Sequence, residues 1–83
     1  MKLPRDLSGQ QLVKQLSSLG YSVTRQKGSH IRLTTVQNGQ HHVTIPDHAS
    51  LKIGTLSSIL NDVADHFELT RDELAEQLFG TQA

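Results

Sequence analysis

The densest chemistry in this 83-residue chain is Arg25-Gln26-Lys27-Gly28-Ser29-His30 and the run Ile31-Arg32-Leu33-Thr34 that follows it. His30 carries an imidazole, which takes or gives a proton near neutral pH. Arg25, Lys27 and Arg32 stand around it, and such cations are natural partners of phosphate oxygens. Gly28 lets the backbone approach a ligand closely or take up a positive φ. With Ser29 it can offer backbone N–H groups to a phosphate. A proton-transfer group inside a ring of phosphate-binding groups is what breaking an RNA chain requires. His30 would take the proton of a ribose 2′-OH that attacks the adjacent phosphate, or protonate the departing 5′-oxygen. Such a group typically contributes ~10²–10⁴-fold. Arg32 and Lys27 would stabilise the charge that develops on the phosphate, with Arg25 a weaker third.

The remaining histidines are weaker candidates. His41, His42 and His48 raise the question of a metal, but adjacent strand residues point to opposite faces, so His41 and His42 do not easily share an ion. The chain has no cysteine, and Asp47 is the only carboxylate nearby. The reading is therefore chemistry without metal or cofactor. His48 is either a second proton-transfer group or a residue that fixes its loop. His66, in an acidic helix end, reads as inert. Gly54-Thr55-Leu56 reads as a helix start packed tightly on the sheet rather than as an anion site. Walker loop, dinucleotide fingerprint and serine triad are all missing from the sequence.

The flanking sequence supplies the elements that must position these groups. Ser8 is an N-cap with Gln11 as its capping-box partner, and Leu7 and Leu12 form a staple. Leu12, Val13, Leu16 and Leu19 recur at helical spacing until Gly20, which predicts a helix over about 9–19. Tyr21–Gln26 alternates as a strand, Lys27-Gly28-Ser29 is a turn, and strands follow at about 30–36 and 41–46. Asn38-Gly39 between them signals a two-residue hairpin turn. Period two turns Ile31, Leu33, Val43 and Ile45 toward the helices, and His30, Arg32, Thr34, His42 and Thr44 to the opposite face. Strict alternation from Tyr21 and Val23 would put Arg25 on the covered face, unless the strand end is frayed or bulged. Leu56, Ile59, Leu60, Val63 and Phe67 form the stripe of a second helix starting near Gly54-Thr55. Thr70 and Glu73 cap a third, with Leu74, Leu78 and Phe79 as its stripe. The expected fold is α+β: a three-stranded antiparallel sheet with helices on one face.

A chain of this length is one small domain that buries roughly 60–65% of its unfolded surface. Apolar runs long enough to span a membrane, or to serve as a secretion signal, are missing from the sequence, so the reading is a cytoplasmic protein with no membrane partner. Its formal charge is zero but uneven. Residues 1–33 carry six cations against Asp6 alone, whereas 34–83 carry Lys52 and Arg71 against seven carboxylates. A neutral total argues against a nucleic-acid partner; one basic face argues for it.

Three segments in order resemble the HicA-type (YcfA-like) mRNA interferases: Gly28-Ser29-His30, His42-Val43-Thr44-Ile45-Pro46-Asp47-His48, and Gly54-Thr55-Leu56 with Ile59-Leu60. The helix opening at Ser8-Gly9 and the stop at Leu19-Gly20-Tyr21 match as well. The resemblance covers about residues 7–63 of a single domain, and 64–83 extends it as an acidic helical tail. It implies a fold like a double-stranded-RNA-binding domain (dsRBD), α-β-β-β-α, here with an added C-terminal helix. It implies the toxin half of a toxin–antitoxin pair, an endoribonuclease that cleaves mRNA without a metal, with the motif histidine at His30. It also implies a HicB-type antitoxin as protein partner. Two rival readings stay open: a module of the same fold that binds RNA without cutting it, and an interaction protein that works through its acidic third helix.

Overall fold

The computed structural model describes residues 3–80. Elements follow in the order α1 (Gly9–Leu16), a 3₁₀ turn (Ser17–Leu19), β1 (Ser22–Lys27), β2 (His30–Thr35), β3 (His41–Pro46), α2 (Ile53–His66) and α3 (Arg71–Phe79). The strands form one antiparallel sheet in the order β1-β2-β3. This is the dsRBD-like α-β-β-β-α order with one helix added. Among the described residues no helix is long and apolar enough to cross a membrane.

The local signals act as their chemistry dictates. Ser8 Oγ accepts from the Gln11 N–H, and Gln11 returns the bond to the Ser8 N–H. Thr70 and Glu73 do the same for α3. Each box satisfies two otherwise orphaned donors. Gly20 stops the first helical segment at φ 83°. Leu12 and Leu16 from α1, Ile31, Leu33, Val43 and Ile45 from the sheet, and Leu56, Leu60 and Val63 from α2 share one buried core, which Leu74 and Leu78 close from α3.

One loop and one strand differ from the sequence expectation. Asn38-Gly39 is not a two-residue turn: residues 36–40 form the loop, with positive φ at both Asn38 and Gly39. Its docking explains the longer form. The Asn38 side chain donates to the His66 carbonyl, and His66 Nε2 donates to the carbonyls of Gln37 and Gly39, both at 2.9 Å. The second difference is in β1. α1 and α2 pack on β3, so β1 is an uncovered edge and Val23, on the helix side opposite Leu33, is still 52% exposed.

Tyr21 anchors the far end of the sheet. Its hydroxyl lies 2.6 Å from His41 Nδ1, and His41 Nε2 lies 3.2 Å from Asp62. The carboxylate only accepts, so His41 donates from Nε2, and in that tautomer Nδ1 accepts from the phenol. Burial, and then the Asp62 charge, push the Tyr21 phenol up to about 12 from 10.0. Folded and unfolded phenols are both protonated below pH 10, so this group adds no pH slope there. Between pH 10 and 12 the unfolded chain releases a proton that the folded one keeps, and stability falls as pH rises. Tyr21→Phe should remove that alkaline slope in urea titrations at pH 9 and pH 11, while costing about 1 kcal/mol at neutral pH for the lost hydrogen bond.

Candidate nucleic-acid interface

The face of the sheet turned away from the helices is built in rungs. In register, Lys27, His30 and Pro46 lie side by side, then Arg25, Arg32 and Thr44, then Ser22, Thr34 and His42. His30 opens β2 directly after the Gly28-Ser29 turn. Gly28 has φ 56° while Ser29 is not at positive φ, the pattern of a II′ hairpin with glycine first. A Cβ at Gly28 would meet nothing within 4 Å, so space above the turn is open. The glycine is there for its conformation.

Arg25 reaches this face through a β-bulge between Val23 and Arg25, which shifts the register by one residue and pairs Arg25 with Arg32. The strand is bulged rather than frayed, and the parity of its C-terminal half is inverted relative to strict alternation. The bulged residue, Thr24, places its hydroxyl 2.8 Å from that of Thr34, and Thr34 Oγ1 lies 2.7 Å from His42 Nδ1. A chain of three polar side chains thus crosses all three strands.

Arg25, Lys27, His30, Arg32 and His42 are all exposed, as are Gly28 and Ser29. No hydrogen bond or ion pair among the described residues engages the side chains of Arg25, Lys27, His30 or Arg32. The sequence explains why: residues 7–46 contain no Asp or Glu. The carboxylates sit on α2, α3 and the loops, where Asp62 meets His41 and Asp72 meets Arg71. Like charges directly opposite on neighbouring strands are destabilising, so Arg25 facing Arg32 is a cost that folding alone does not justify.

The loop after β3 is tied beside His30. Asp47 N–H donates to the Ser29 carbonyl at 2.7 Å, and the Asp47 carboxylate accepts from Gln10 and Gln26. Gly9 N–H donates to the His48 carbonyl at 2.9 Å. It is therefore the backbone of His48 that fixes this loop, while its side chain is exposed.

His41 and His42 do point to opposite faces, one to Tyr21 and Asp62 and the other to Thr34. Among the described residues no three His, Asp or Glu side chains converge as metal ligands do. His66 is structural rather than idle: it stacks on His41 with centroids 4.4 Å apart and holds the 36–40 loop. Sequence reasoning also passed over Thr24 and His42 as members of one polar chain. The carboxylate-free stretch 7–46 was the signal for this face. Two open cavities, of about 400 and 330 Å³, lie between the N-terminal segment and the start of α2, and their lining residues are all outside the sheet. The candidate residues themselves are exposed on the sheet, a surface that suits a polymer.

A family profile described as "HicA toxin of bacterial toxin-antitoxin" matches residues 9–64. The chain belongs to the HicA toxin family, and with it to the toxins of bacterial toxin–antitoxin systems. Comparison with curated proteins and with solved structures gives no match.

Proposed function

We propose that this protein is the toxin of a toxin–antitoxin pair that acts as an mRNA interferase, an endoribonuclease that cuts RNA by transesterification on the open sheet face. The observation that carries the reading is His30: an exposed imidazole between Lys27 and the Arg25–Arg32 rung, on a face without carboxylates. In the proposed reaction the ribose 2′-OH loses its proton and its oxygen attacks the adjacent phosphorus. The bond from phosphorus to the 5′-oxygen breaks, and that oxygen takes up a proton. The products are a 2′,3′-cyclic phosphate and a 5′-hydroxyl, with no water consumed. His30 performs one of the two proton transfers. Arg32 and Lys27 stabilise the dianionic phosphorane-like transition state, and Arg25 and the Gly28-Ser29 backbone add to phosphate binding. His48, two residues beyond the Pro46 that pairs with His30, is the candidate for the second transfer. A HicB-type antitoxin is the protein partner that the family implies.

The test is cleavage of RNA by purified protein in excess chelator. Cleavage at the rate seen without chelator is expected. Strict dependence on an added divalent ion would overturn the mechanism, and RNA bound tightly but left intact would favour a non-catalytic RNA-binding module.

A further inference from the structure

The rungs of the open face differ in chemistry, and the difference assigns them different parts of a substrate. Successive rungs are two residues apart along β2, or roughly 7 Å, close to the separation of consecutive phosphates in an extended nucleic-acid strand. The first rung holds His30 and Lys27, and the second sets Arg25 against Arg32. The third has no permanent cation: Thr24, Thr34 and His42 are joined by hydrogen bonds of 2.8 and 2.7 Å. These bonds fix the His42 ring through Nδ1 and leave Nε2 without a partner among the described residues. A ring held in this way can stack on a nucleobase or bond to its edge, which is how proteins read unpaired RNA.

We infer that the open sheet face takes single-stranded RNA along β2 with a footprint of three nucleotides, and that His42, oriented by Thr34, selects the nucleobase two positions from the scissile phosphate. The inference rests on the ribonuclease reading above. A single strand is required because the attacking 2′-oxygen must stand in line with the departing 5′-oxygen, which an A-form stack does not allow. Charge supports the same occupant. Arg25 and Arg32 are paired across neighbouring strands with no carboxylate in sequence from residue 7 to residue 46, so a phosphate bound by both relieves a repulsion that the fold otherwise carries. Protein contacts to phosphate position the strand, and contacts to base edges specify it. His42 is thus a specificity residue and Thr34 a positioning residue.

Two measurements test this. In the first, wild type, Thr34→Val and His42→Ala each cleave an RNA library randomised around the cut, and cleavage sites are sequenced. Wild type should prefer one nucleotide at least fivefold at the second position from the cut. His42→Ala should flatten that preference to below twofold without altering preferences elsewhere, and Thr34→Val should weaken it partially. An unchanged preference in His42→Ala, or none in wild type, overturns the inference. In the second, His30→Ala is titrated with RNA oligonucleotides of one to six residues and with a duplex of the same sequence. Affinity should rise to three nucleotides and then level, with the duplex at least tenfold weaker. Equal duplex binding overturns the inference while leaving wild-type cleavage, and so the ribonuclease reading, intact. A trinucleotide footprint without any cleavage by wild type removes the ribonuclease reading, and with it the place of His42 relative to a cut, and leaves only the single-stranded footprint.

Discussion

Replacing His30 with alanine is expected to slow RNA cleavage by about 10²–10⁴-fold and to abolish growth arrest when the gene is induced, with the fold unchanged. The rate effect follows from the proton inventory of the reaction. Neither the 2′-OH nor the 5′-oxide is near its own pKa at neutral pH, and His30 is the imidazole that opens β2 on the cationic face. The structural neutrality follows from exposure. His30 makes no side-chain hydrogen bond among the described residues and buries nothing in the core. Substitutions at such positions usually fall within about 0.5 kcal/mol. Urea midpoints of wild type and His30→Ala should therefore coincide while rates separate. RNA affinity should fall by far less than the rate, because the arginine rung remains.

The second large effect lies on the buried side. Gly9→Ala should destabilise the protein by about 2–4 kcal/mol, at or above the upper range for overpacking. Gly9 is the first residue of α1 and is buried against the loop after β3. A Cβ there would lie 2.0 Å from the Pro46 carbonyl oxygen and 3.2 Å from the Asp47 Cα. Both are backbone atoms, so no rotamer change relieves the clash, and either α1 or the loop must move. Movement also breaks the Gly9 N–H bond to the His48 carbonyl. Total stabilities are about 0.05–0.15 kcal/mol per residue, so the loss is a large fraction for a domain of 83 residues. Chemical denaturation should show a lowered midpoint. Cleavage should also fall in the folded fraction, because Pro46 pairs with His30 and Asp47 N–H holds Ser29. A midpoint within experimental error of wild type would show that helix and loop separate easily.

Much of this architecture is legible in the sequence because its signals are local. The Ser8–Gln11 and Thr70–Glu73 boxes, the leucine stripes and the alternation of Ile31, Leu33, Val43 and Ile45 each depend on residues a few positions apart. What escaped depends on contacts between distant segments. The bulge that brings Arg25 beside Arg32 has no signature in the alternation of β1 alone; it appears only against the register of β2. The 36–40 loop is set by His66, more than 25 residues away. Likewise, the composition of α2 gives no hint that His66 stacks on His41, since that contact exists only once the helix end meets the sheet. The face bearing His30 and Arg32 could be read from parity; which of its side chains are joined could not.

The chemistry of the RNA ends is the most direct test of the central claim that the ribose hydroxyl beside the cut phosphate is the nucleophile and a sheet-face imidazole handles its proton. Wild-type protein should leave a 2′,3′-cyclic phosphate on one fragment and a 5′-hydroxyl on the other, and a single 2′-deoxy substitution at the cut should block cleavage there. Fragments ending in 3′-hydroxyl and 5′-phosphate, or cleavage undiminished at the 2′-deoxy position, would mean that water is the nucleophile and would contradict the account.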